Sequence, residues 1–435
     1  MFAYYFQLGL RSLHRNPVLT ALMVMAIGFG VAASMTIWSV FRATSGNPIP
    51  QKSSTLFIAQ VDNYGKDGND EGEPLPWMTY TDAMALQHAH QAKRQTALYS
   101  LASSVIPADP QLLPFPARGY GAFGDFFPMF DVPFLFGSGW SAAEDEARAS
   151  VVVIGRELND KIFGGANSVG REINLDGVSY RIVGVTDRWE VKPRFFDLDI
   201  KGGFGVAGQI YLPFNRAMDL KKKPVGATIC NRNVGTDWDS FLHSECVWLS
   251  FWAELPTAAQ AANYRQYLHG YAAEQQRAGR FGWAPNVRLR DVMQWLSYRH
   301  VVPKEARISL LIAISFLLIC LVNTAGLLLA KFMRRAPEIG VRRALGASKQ
   351  TIYAQFLIEA GTVGLAGAAL GLLLTALGML YVDRVFDSSI AKLAHIDVSL
   401  VGLTIAVSIL STLLAAFYPT WRAAQVQPAW QLKSN

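Results

Sequence analysis

The chain has 435 residues, of which 51% are hydrophobic and only 17% are charged. A soluble globular protein usually has about 25% charged residues, so this composition excludes an ordinary cytosolic enzyme, a disordered chain and a fibrous repeat. Three cysteines are too few for a disulfide scaffold, whereas the net charge of +7 suits either nucleic acid or an anionic membrane surface as a partner.

Four windows of the sequence contain no Asp, Glu, Lys or Arg: residues 18–41, 308–330, 360–382 and 398–421. A helix of roughly 20 residues crosses the hydrocarbon core of a bilayer, so each window is long enough to span a membrane. The first window is too long for the apolar core of a cleaved signal peptide, which runs about 7–15 residues, and we interpret it as a retained anchor. The predicted fold class is a membrane protein with four transmembrane helices, one before and three after a large α/β domain.

Basic residues are distributed unevenly among the segments that flank these windows. Residues 1–17, 331–359 and 422–435 together contain ten Lys and Arg but only two acidic residues, whereas residues 42–307 contain 28 of each sign. The positive-inside rule places the basic segments in the cytoplasm. We therefore expect both termini in the cytoplasm, and residues 42–307 and the short loop 383–397 on the far side of the membrane. The net charge is then a topology signal rather than a sign of nucleic-acid binding.

Residues 42–307 have ordinary polarity and enough length to bury a core of their own. Their apolar patterns predict a mixed α/β domain. Strands are predicted over 54–61, 97–106, 150–154, 172–175, 178–185, 209–212, 246–255 and 287–289. Asp176-Gly177 lies between two alternating apolar runs, which is typical of a hairpin with a type I′ turn. The order of the elements predicts an outer subdomain at about 108–243, inserted into an inner one at about 50–107 and 244–300.

No catalytic constellation emerges from the spacing of the polar residues, and we predict that the chain is not an enzyme. The string nearest to a phosphate-binding loop has Arg171 in place of the essential lysine and Glu172 in place of the hydroxyl that binds magnesium. Cys230, His243 and Cys246 fit no zinc signature, so we predict no metal site. Cys230 and Cys246 could form a disulfide on an oxidising side of the membrane or remain two buried thiols, and their spacing leaves both alternatives open.

Small residues inside the windows predict close helix packing. Gly364, Gly367 and Gly371 recur at helical spacing in the third window, and the last two form a GxxxG pair. Gly30 adds a small residue to the first window, and Asn323 is an amide in the second that could hydrogen-bond across helices. These residues could pack helices within one chain or between two chains, and the sequence does not choose between them.

A short amphipathic helix is predicted in the cytoplasmic segment. Pro337 suits the first helical turn, Glu338 suits its positive end, and Gly346 fits the position just after a helix. Ser348 then suits the cap of the next helix. The arginines of this helix could anchor it among lipid headgroups, or the helix could dock on a cytoplasmic partner.

Several strings of this sequence resemble a known family. PEIGVRRALGAS at residues 337–348, followed by QFLIEA at 355–360, resembles the signature of the MacB/FtsX-type ABC transporter permeases. Further strings that resemble this family are LRSLHRNP at 10–17, VVVIGREL at 151–158, LVNT at 321–324 and PTWRAA at 419–424. The resemblance covers nearly the whole chain, but residues 221–245 match nothing known in the family.

The resemblance implies a coupling site and a set of partners. Residues 337–347 would be the coupling helix that seats in a groove of a cytoplasmic ATPase dimer. Its contacts would come from Pro337, Glu338, Ile339, Gly340, Arg342, Arg343, Ala344, Leu345, Gly346 and Ala347. We expect no fused ATPase domain and no cofactor in this chain, so a separate ATPase subunit would bind ATP and magnesium. Residues 1–17 would form an amphipathic helix at the inner membrane surface, and the inner periplasmic subdomain would be porter-like.

The function implied by the resemblance is mechanotransmission, in which ATP hydrolysis drives movement of a periplasmic domain. We expect the chain to be the permease subunit of a bacterial export or efflux system in the inner membrane. It would pair with a second permease, identical or not, and act with a periplasmic adaptor and an outer-membrane channel. The alternatives on the same fold are lipoprotein extraction and FtsX-like signalling to a cell-wall hydrolase. A membrane-anchored enzyme belongs to another class and lacks a catalytic constellation. The residues do not identify the substrate.

Overall fold

The computed structural model describes residues 7, 16–65, 72–109, 111, 113–189, 191–199, 203–205, 208–230, 234–301, 304–385 and 396–425. These residues fall into two compact units. One is Gly46–Val301, which we name the sheet domain, and the other combines the segments before and after it, which we name the helix unit. The amphipathic helix predicted for residues 1–17, most of the loop 383–397 and most of the tail 422–435 lie outside the described residues.

The strands are β1 (Leu56–Val61), β2 (Met78–Thr79), β3 (Arg94–Ile106), β4 (Phe115–Ala122), β5 (Phe134–Gly137), β6 (Val151–Gly155), β7 (Glu172–Leu175), β8 (Val178–Thr186), β9 (Ile210–Pro213), β10 (Val247–Glu254) and β11 (Val287–Asp291). The helices are α1 (Pro17–Ser45), α2 (Tyr80–Ala89), α3 (Phe126–Met129), α4 (Ala142–Glu146), α5 (Arg156–Phe163), α6 (Phe214–Asp219), α7 (Trp238–Leu242), α8 (Ala258–Arg277), α9 (Val292–Tyr298), α10 (Lys304–Met333), α11 (Ala336–Ala344), α12 (Lys349–Val385) and α13 (Val398–Ala424).

One sheet runs through the whole sheet domain. Its strand order is β11-β1-β10-β3-β4-β9-β6-β8-β5, with β2 beside β10 and with β7 paired to both β3 and β8. Neighbouring strands are antiparallel except for the pairs β4–β9 and β6–β8, which are parallel. Strands from both predicted subdomains thus share one sheet, and the division into an inner part and an inserted outer part stays a prediction.

Apolar side chains cover both faces of this sheet, because successive residues of a strand point to opposite sides. In β6, Val152 and Ile154 join a core that also contains Leu268 of α8. Val151 and Val153 point to the other face and join a second core, which is rich in aromatic rings. Aromatic residues of the second core include Phe126, Phe127, Phe130, Phe195, Phe196, Trp252 and Trp295. A sheet that is buried on both faces accounts for the long apolar runs in its strands.

Local sequence signals set several element boundaries. Thr79 caps α2, because its hydroxyl accepts a hydrogen bond of 3.0 Å from the backbone N–H of Asp82. Asp176 and Gly177 have φ values of 52° and 86°, and they join the antiparallel strands β7 and β8 as the predicted hairpin turn. In β4, a Cβ on Gly119 would lie 1.7 Å from the carbonyl oxygen of Ile210, so only glycine allows β9 to pair at this distance.

A disulfide joins Cys230 to Cys246, which lies buried just before β10. Ile229 exchanges backbone hydrogen bonds with Val247, and its carbonyl also accepts a hydrogen bond of 2.6 Å from the Tyr64 hydroxyl. These contacts attach residues 229–230 to strand β10 of the sheet.

In the described part of the helix unit, four helices are long and apolar enough to cross a membrane, namely α1, α10, α12 and α13. Helix α12 approaches α13 at Gly364, where a Cβ would lie 2.2 Å from the Thr412 hydroxyl. It approaches α1 at Gly367, where a Cβ would lie 2.7 Å from Ile27 Cγ2. The Ser408 hydroxyl of α13 also donates a hydrogen bond of 2.8 Å to the carbonyl of Gly364. These glycines therefore pack helices within this chain.

We expect Cys230→Ser to lower the free energy of unfolding of the sheet domain by about 3 kcal/mol, because the disulfide restricts a short loop in the unfolded chain. The two cysteines are 16 positions apart. The measurement is denaturant unfolding of the full chain followed by tryptophan fluorescence. Cys320→Ala, which removes the free thiol in α10, is the control and should leave the sheet-domain transition in place. A reductant that leaves the wild-type transition unchanged would contradict this assignment.

Candidate coupling site at the ends of the long helices

Helix α11 lies between the end of α10 and the start of α12, and its sequence explains its bounds. Pro337 occupies its first turn, where its missing N–H costs no hydrogen bond, and Glu338 lies at the positive end of the helix dipole. Gly346 follows the helix with φ of 98°, a conformation that favours glycine. The Ser348 hydroxyl then accepts a hydrogen bond of 3.1 Å from the backbone N–H of Thr351 and caps α12.

One face of α11 is packed against the helix unit. Ala336 and Ile339 are 4% and 3% exposed, and Gly340 is also buried. Ile339 belongs to a core that includes Ile352 and Phe356 of α12. This face attaches the short helix firmly to the first turns of α12.

The other face of α11 presents apolar surface outward. Val341 is 52% exposed and Leu345, which ends the helix, is 84% exposed. Arg342 is exposed and links α11 to α12. It donates a hydrogen bond of 2.6 Å to Glu338 of α11 and another of 3.0 Å to Gln355 of α12. The predicted coupling residues therefore form one short structure, with an anchored side and an open side.

A buried ion cluster, which no motif of the sequence predicted, lies next to α11. Glu359 of α12 is 3% exposed, and its Oε1 lies 2.8 Å from the Lys331 Nζ of α10. Its other oxygen, Oε2, lies 2.9 Å from an Nη1 nitrogen of Arg335, the residue that precedes α11. Lys331 and Glu359 had been counted only as topology signals. Their opposite charges at the edges of two adjoining apolar windows were the available clue.

The predicted helix-packing residues fall into two groups. Gly30 packs α1 against α10, since a Cβ there would lie 3.0 Å from Cys320 Cβ. A Cβ on Gly371 would lie 3.5 Å from Val31 Cγ1 of α1, which is an ordinary contact distance. Asn323, in contrast, is exposed on α10 and makes no described contact across the helices of this chain.

Asn323 lies on the least covered of the four long helices. Only 17% of the apolar window of α10 is buried, compared with 50% for α1 and 39% for both α12 and α13. The large apolar side chains of α10 that are more than half exposed are Ile308, Leu311, Ile312, Leu318, Ile319 and Val322. The free surface of α10 is therefore wide and apolar, with an amide within it.

A cavity of about 900 Å³ opens in the sheet domain between α3 and α4. Its lining includes Phe127, Trp140 and the carboxylate of Asp145. Burial raises the pKa of Asp145 to about 7, although the carboxylate accepts hydrogen bonds from the Gly124 N–H at 2.7 Å and the Trp140 indole at 2.8 Å. Within the described ranges, no group of three or more His, Cys, Asp or Glu is placed to hold a metal ion.

Comparison with known families bears on both units of the chain. The model of the MacB-like periplasmic core domain matches residues 20–266, which is more than half of the chain. The chain belongs to the MacB/FtsX-type ABC transporter permeases. The model of the FtsX-like permease C-terminal domain matches residues 310–428, which include α11 and the three helices around it.

The curated relatives of this MacB-type permease are distant and longer. The macrolide export ATP-binding/permease protein MacB of Syntrophobacter fumaroxidans is 22% identical over 98% of this chain and 63% of its own length. The protein of that name from Escherichia coli K12 is 25% identical over 84% of this chain and 51% of its own length. The chain thus spans about half to two thirds of the length of these relatives.

Two solved structures that are similar to part of this MacB-type permease are a periplasmic region and an extracellular domain. The periplasmic region of MacB from Actinobacillus actinomycetemcomitans matches 56% of this chain with 13% identity and a TM-score of 0.36. The extracellular domain of the ABC-type transporter YknZ from Gram-positive bacteria matches 54% with 12% identity and a TM-score of 0.34.

We expect the sheet domain of this MacB-type permease to lose stability as the pH rises from 5 to 8. A carboxyl whose folded pKa is raised binds its proton more tightly in the folded state, so the stabilisation is complete below the unfolded pKa and is lost through the folded value of about 7. Asp145→Asn should flatten this dependence when unfolding of the full chain is measured across that range.

Burial also raises the pKa of Asp199 to about 6, so the slope should shrink without vanishing in Asp145→Asn. Asp160→Asn, at an exposed position of α5, is the control and should keep the wild-type slope. An identical slope in the wild type and Asp145→Asn would contradict the assignment.

Proposed function

We propose that this protein is the permease subunit of a MacB-like ABC export or efflux system, and that ATP hydrolysis by a separate ATPase subunit moves its periplasmic domain. The single observation that carries the proposal is the two-sided structure of α11. One side is anchored on α12, and the other presents Leu345 and Val341 beside Arg342. An exposed apolar patch rimmed by charge is typical of a docking surface for another protein.

Anchoring matters for the proposed coupling, since a loosely attached helix would move without transmitting force. Ile339 packs in the core shared with Ile352 and Phe356, so displacement of α11 by a partner would act on α12 through close contacts. We propose that the ATPase contacts residues 337–347 and that ATP and magnesium bind to that subunit. Family membership supports this assignment, because the FtsX-like match includes the same residues.

Orientation follows from the same proposal. Basic residues dominate the segments next to α11 and at the chain ends, which favours a cytoplasmic location for α11 and for both termini. The sheet domain is then periplasmic, where its disulfide can persist. A second permease would cover the free apolar surface of α10, and a periplasmic adaptor with an outer-membrane channel would complete the export route.

Substitution of Leu345 by Asp should weaken binding of the ATPase by at least about tenfold, since a buried interface leucine replaced by a charge costs more than 1.4 kcal/mol. The measurement is the affinity of the purified permease, in lipid nanodiscs, for the ABC ATPase that copurifies with it. Leu113→Asp is the matched control, because Leu113 is 83% exposed in the sheet domain and Leu345 is 84% exposed. Equal affinities for Leu345→Asp and the wild type would refute the coupling-helix assignment.

The proposed orientation can be tested with single cysteines at the same two positions, in a background that carries Cys320→Ala. A membrane-impermeant maleimide added to cells with a permeabilised outer membrane should label Leu113→Cys and leave Leu345→Cys unlabelled. Disruption of the inner membrane should then expose Leu345→Cys. Labelling of Leu345→Cys in cells with an intact inner membrane would overturn the topology.

A further inference from the structure

Glu359 is a buried carboxylate held by two bases at the same time. Lys331 lies 2.8 Å from Oε1 and Arg335 lies 2.9 Å from Oε2, so each base has an oxygen of its own. The side chains of Glu359 and Lys331 are 3% and 0% exposed, whereas that of Arg335 is 14% exposed. Of the two bases, Arg335 is the one with a path to solvent.

Because Glu359 pairs with two bases, breaking one of its ion pairs costs less free energy than breaking a single buried pair. A carboxylate that loses its only partner inside a protein is left as an uncompensated buried charge, which is strongly unfavourable. Here the Lys331 pair remains when Arg335 departs, because the two pairs use different oxygens. Arg335 can therefore leave at a modest cost, and its guanidinium emerges into water, where it is well solvated.

The bases also belong to different elements of the chain. Lys331 lies within α10, which ends at Met333, while Arg335 immediately precedes α11 at its N-cap position. Any rocking of α11 shifts Arg335 first and leaves Lys331 with α10. The apolar contact of Ile339 is non-directional and tolerates small rotations, whereas a charge-assisted hydrogen bond fixes an angle.

We propose that the Arg335–Glu359 ion pair is a latch that holds α11 against α12 at rest and opens when α11 is displaced, while Lys331 keeps Glu359 paired in the open state. The proposal rests on the proposed function, since it assumes that an ATPase displaces α11. Arg335 and Lys331 are positioning residues in this scheme. Removing them should have opposite effects: loss of Arg335 frees α11, and loss of Lys331 makes the latch harder to open.

The first test measures the motion of α11 in the permease alone. A nitroxide label at Leu345→Cys, with Cys320→Ala, is followed by electron paramagnetic resonance in lipid nanodiscs. Arg335→Gln should raise the ratio of mobile to immobilised label by about tenfold, the factor expected for the loss of one charge-assisted hydrogen bond. Lys331→Met should leave this ratio unchanged or lower it, although it removes the same charge.

Arg334→Gln is the matched control, because Arg334 is the exposed neighbour of Arg335 and carries the same charge. It should leave the label mobility and the thermal transition unchanged. The double variant Lys331→Met with Arg335→Gln leaves Glu359 without either base, so its thermal transition should fall well below that of each single variant. Equal mobility in the wild type and Arg335→Gln, or additive effects in the double variant, would overturn the latch.

The second test adds the ABC ATPase and measures ATP turnover. Arg335→Gln should bind the ATPase normally and hydrolyse ATP faster, since no latch opposes each cycle, and Lys331→Met should bind normally and turn over more slowly. If the mobility results hold but no variant binds or affects the ATPase, the latch stands and the proposed function fails. If the ATPase binds and turns over equally with all variants, the proposed function stands and the latch fails.

Discussion

The close approach of α12 to α1 and α13 is the constraint on which the helix unit depends. Lipid tails are as apolar as leucine, so helices in a bilayer gain little from burial and associate through close packing and hydrogen bonds. Gly364 and Gly367 allow this approach, because any side chain there would collide with Thr412 or Ile27. Because these contacts fix α12, they also fix its first turns, and α11 packs on those turns through Ile339.

Charged residues of the helix unit lie outside its apolar windows. The apolar windows of the four long helices exclude charge, and the ionised residues collect just outside them. Some of these residues lie on the surface, as Arg334 does. Lys331 and Arg335 instead pair with the buried Glu359. Two of the basic residues on which the proposed topology depends thus also pair with an acidic residue of α12.

Much of this structure was predictable, because the signals are local. The four apolar windows coincide with α1, α10, α12 and α13, and the strands predicted from alternation or apolar runs all occur in the sheet. The pattern at Pro337, Gly346 and Ser348 predicted the ends of α11 and the cap of α12, because these positions depend on backbone conformation and on missing or unsatisfied N–H groups.

The unpredicted features depend on contacts between distant segments. Strand β4 contains Pro116, Gly119 and Gly121, which weaken any strand signal, and Gly119 is explained only by the carbonyl of Ile210 that approaches it. The Lys331–Glu359 pair joins residues on different helices, so no periodicity could show it. The disulfide remained one of two alternatives for the same reason, since spacing does not reveal whether two sulfur atoms meet.

The two units differ in what they require from their surroundings. Both faces of the sheet are covered by the chain itself, and few large apolar side chains of the described sheet domain are exposed, with Leu113 the most open. The helix unit leaves a wide apolar surface, most of all on α10, and lipid alone could cover it were it not for Asn323. An amide that faces hydrocarbon without a partner is costly, and a second helix with a polar group can satisfy it. The least covered helix thus carries the polar side chain that a neighbouring permease could satisfy, which supports pairing of two permeases through α10.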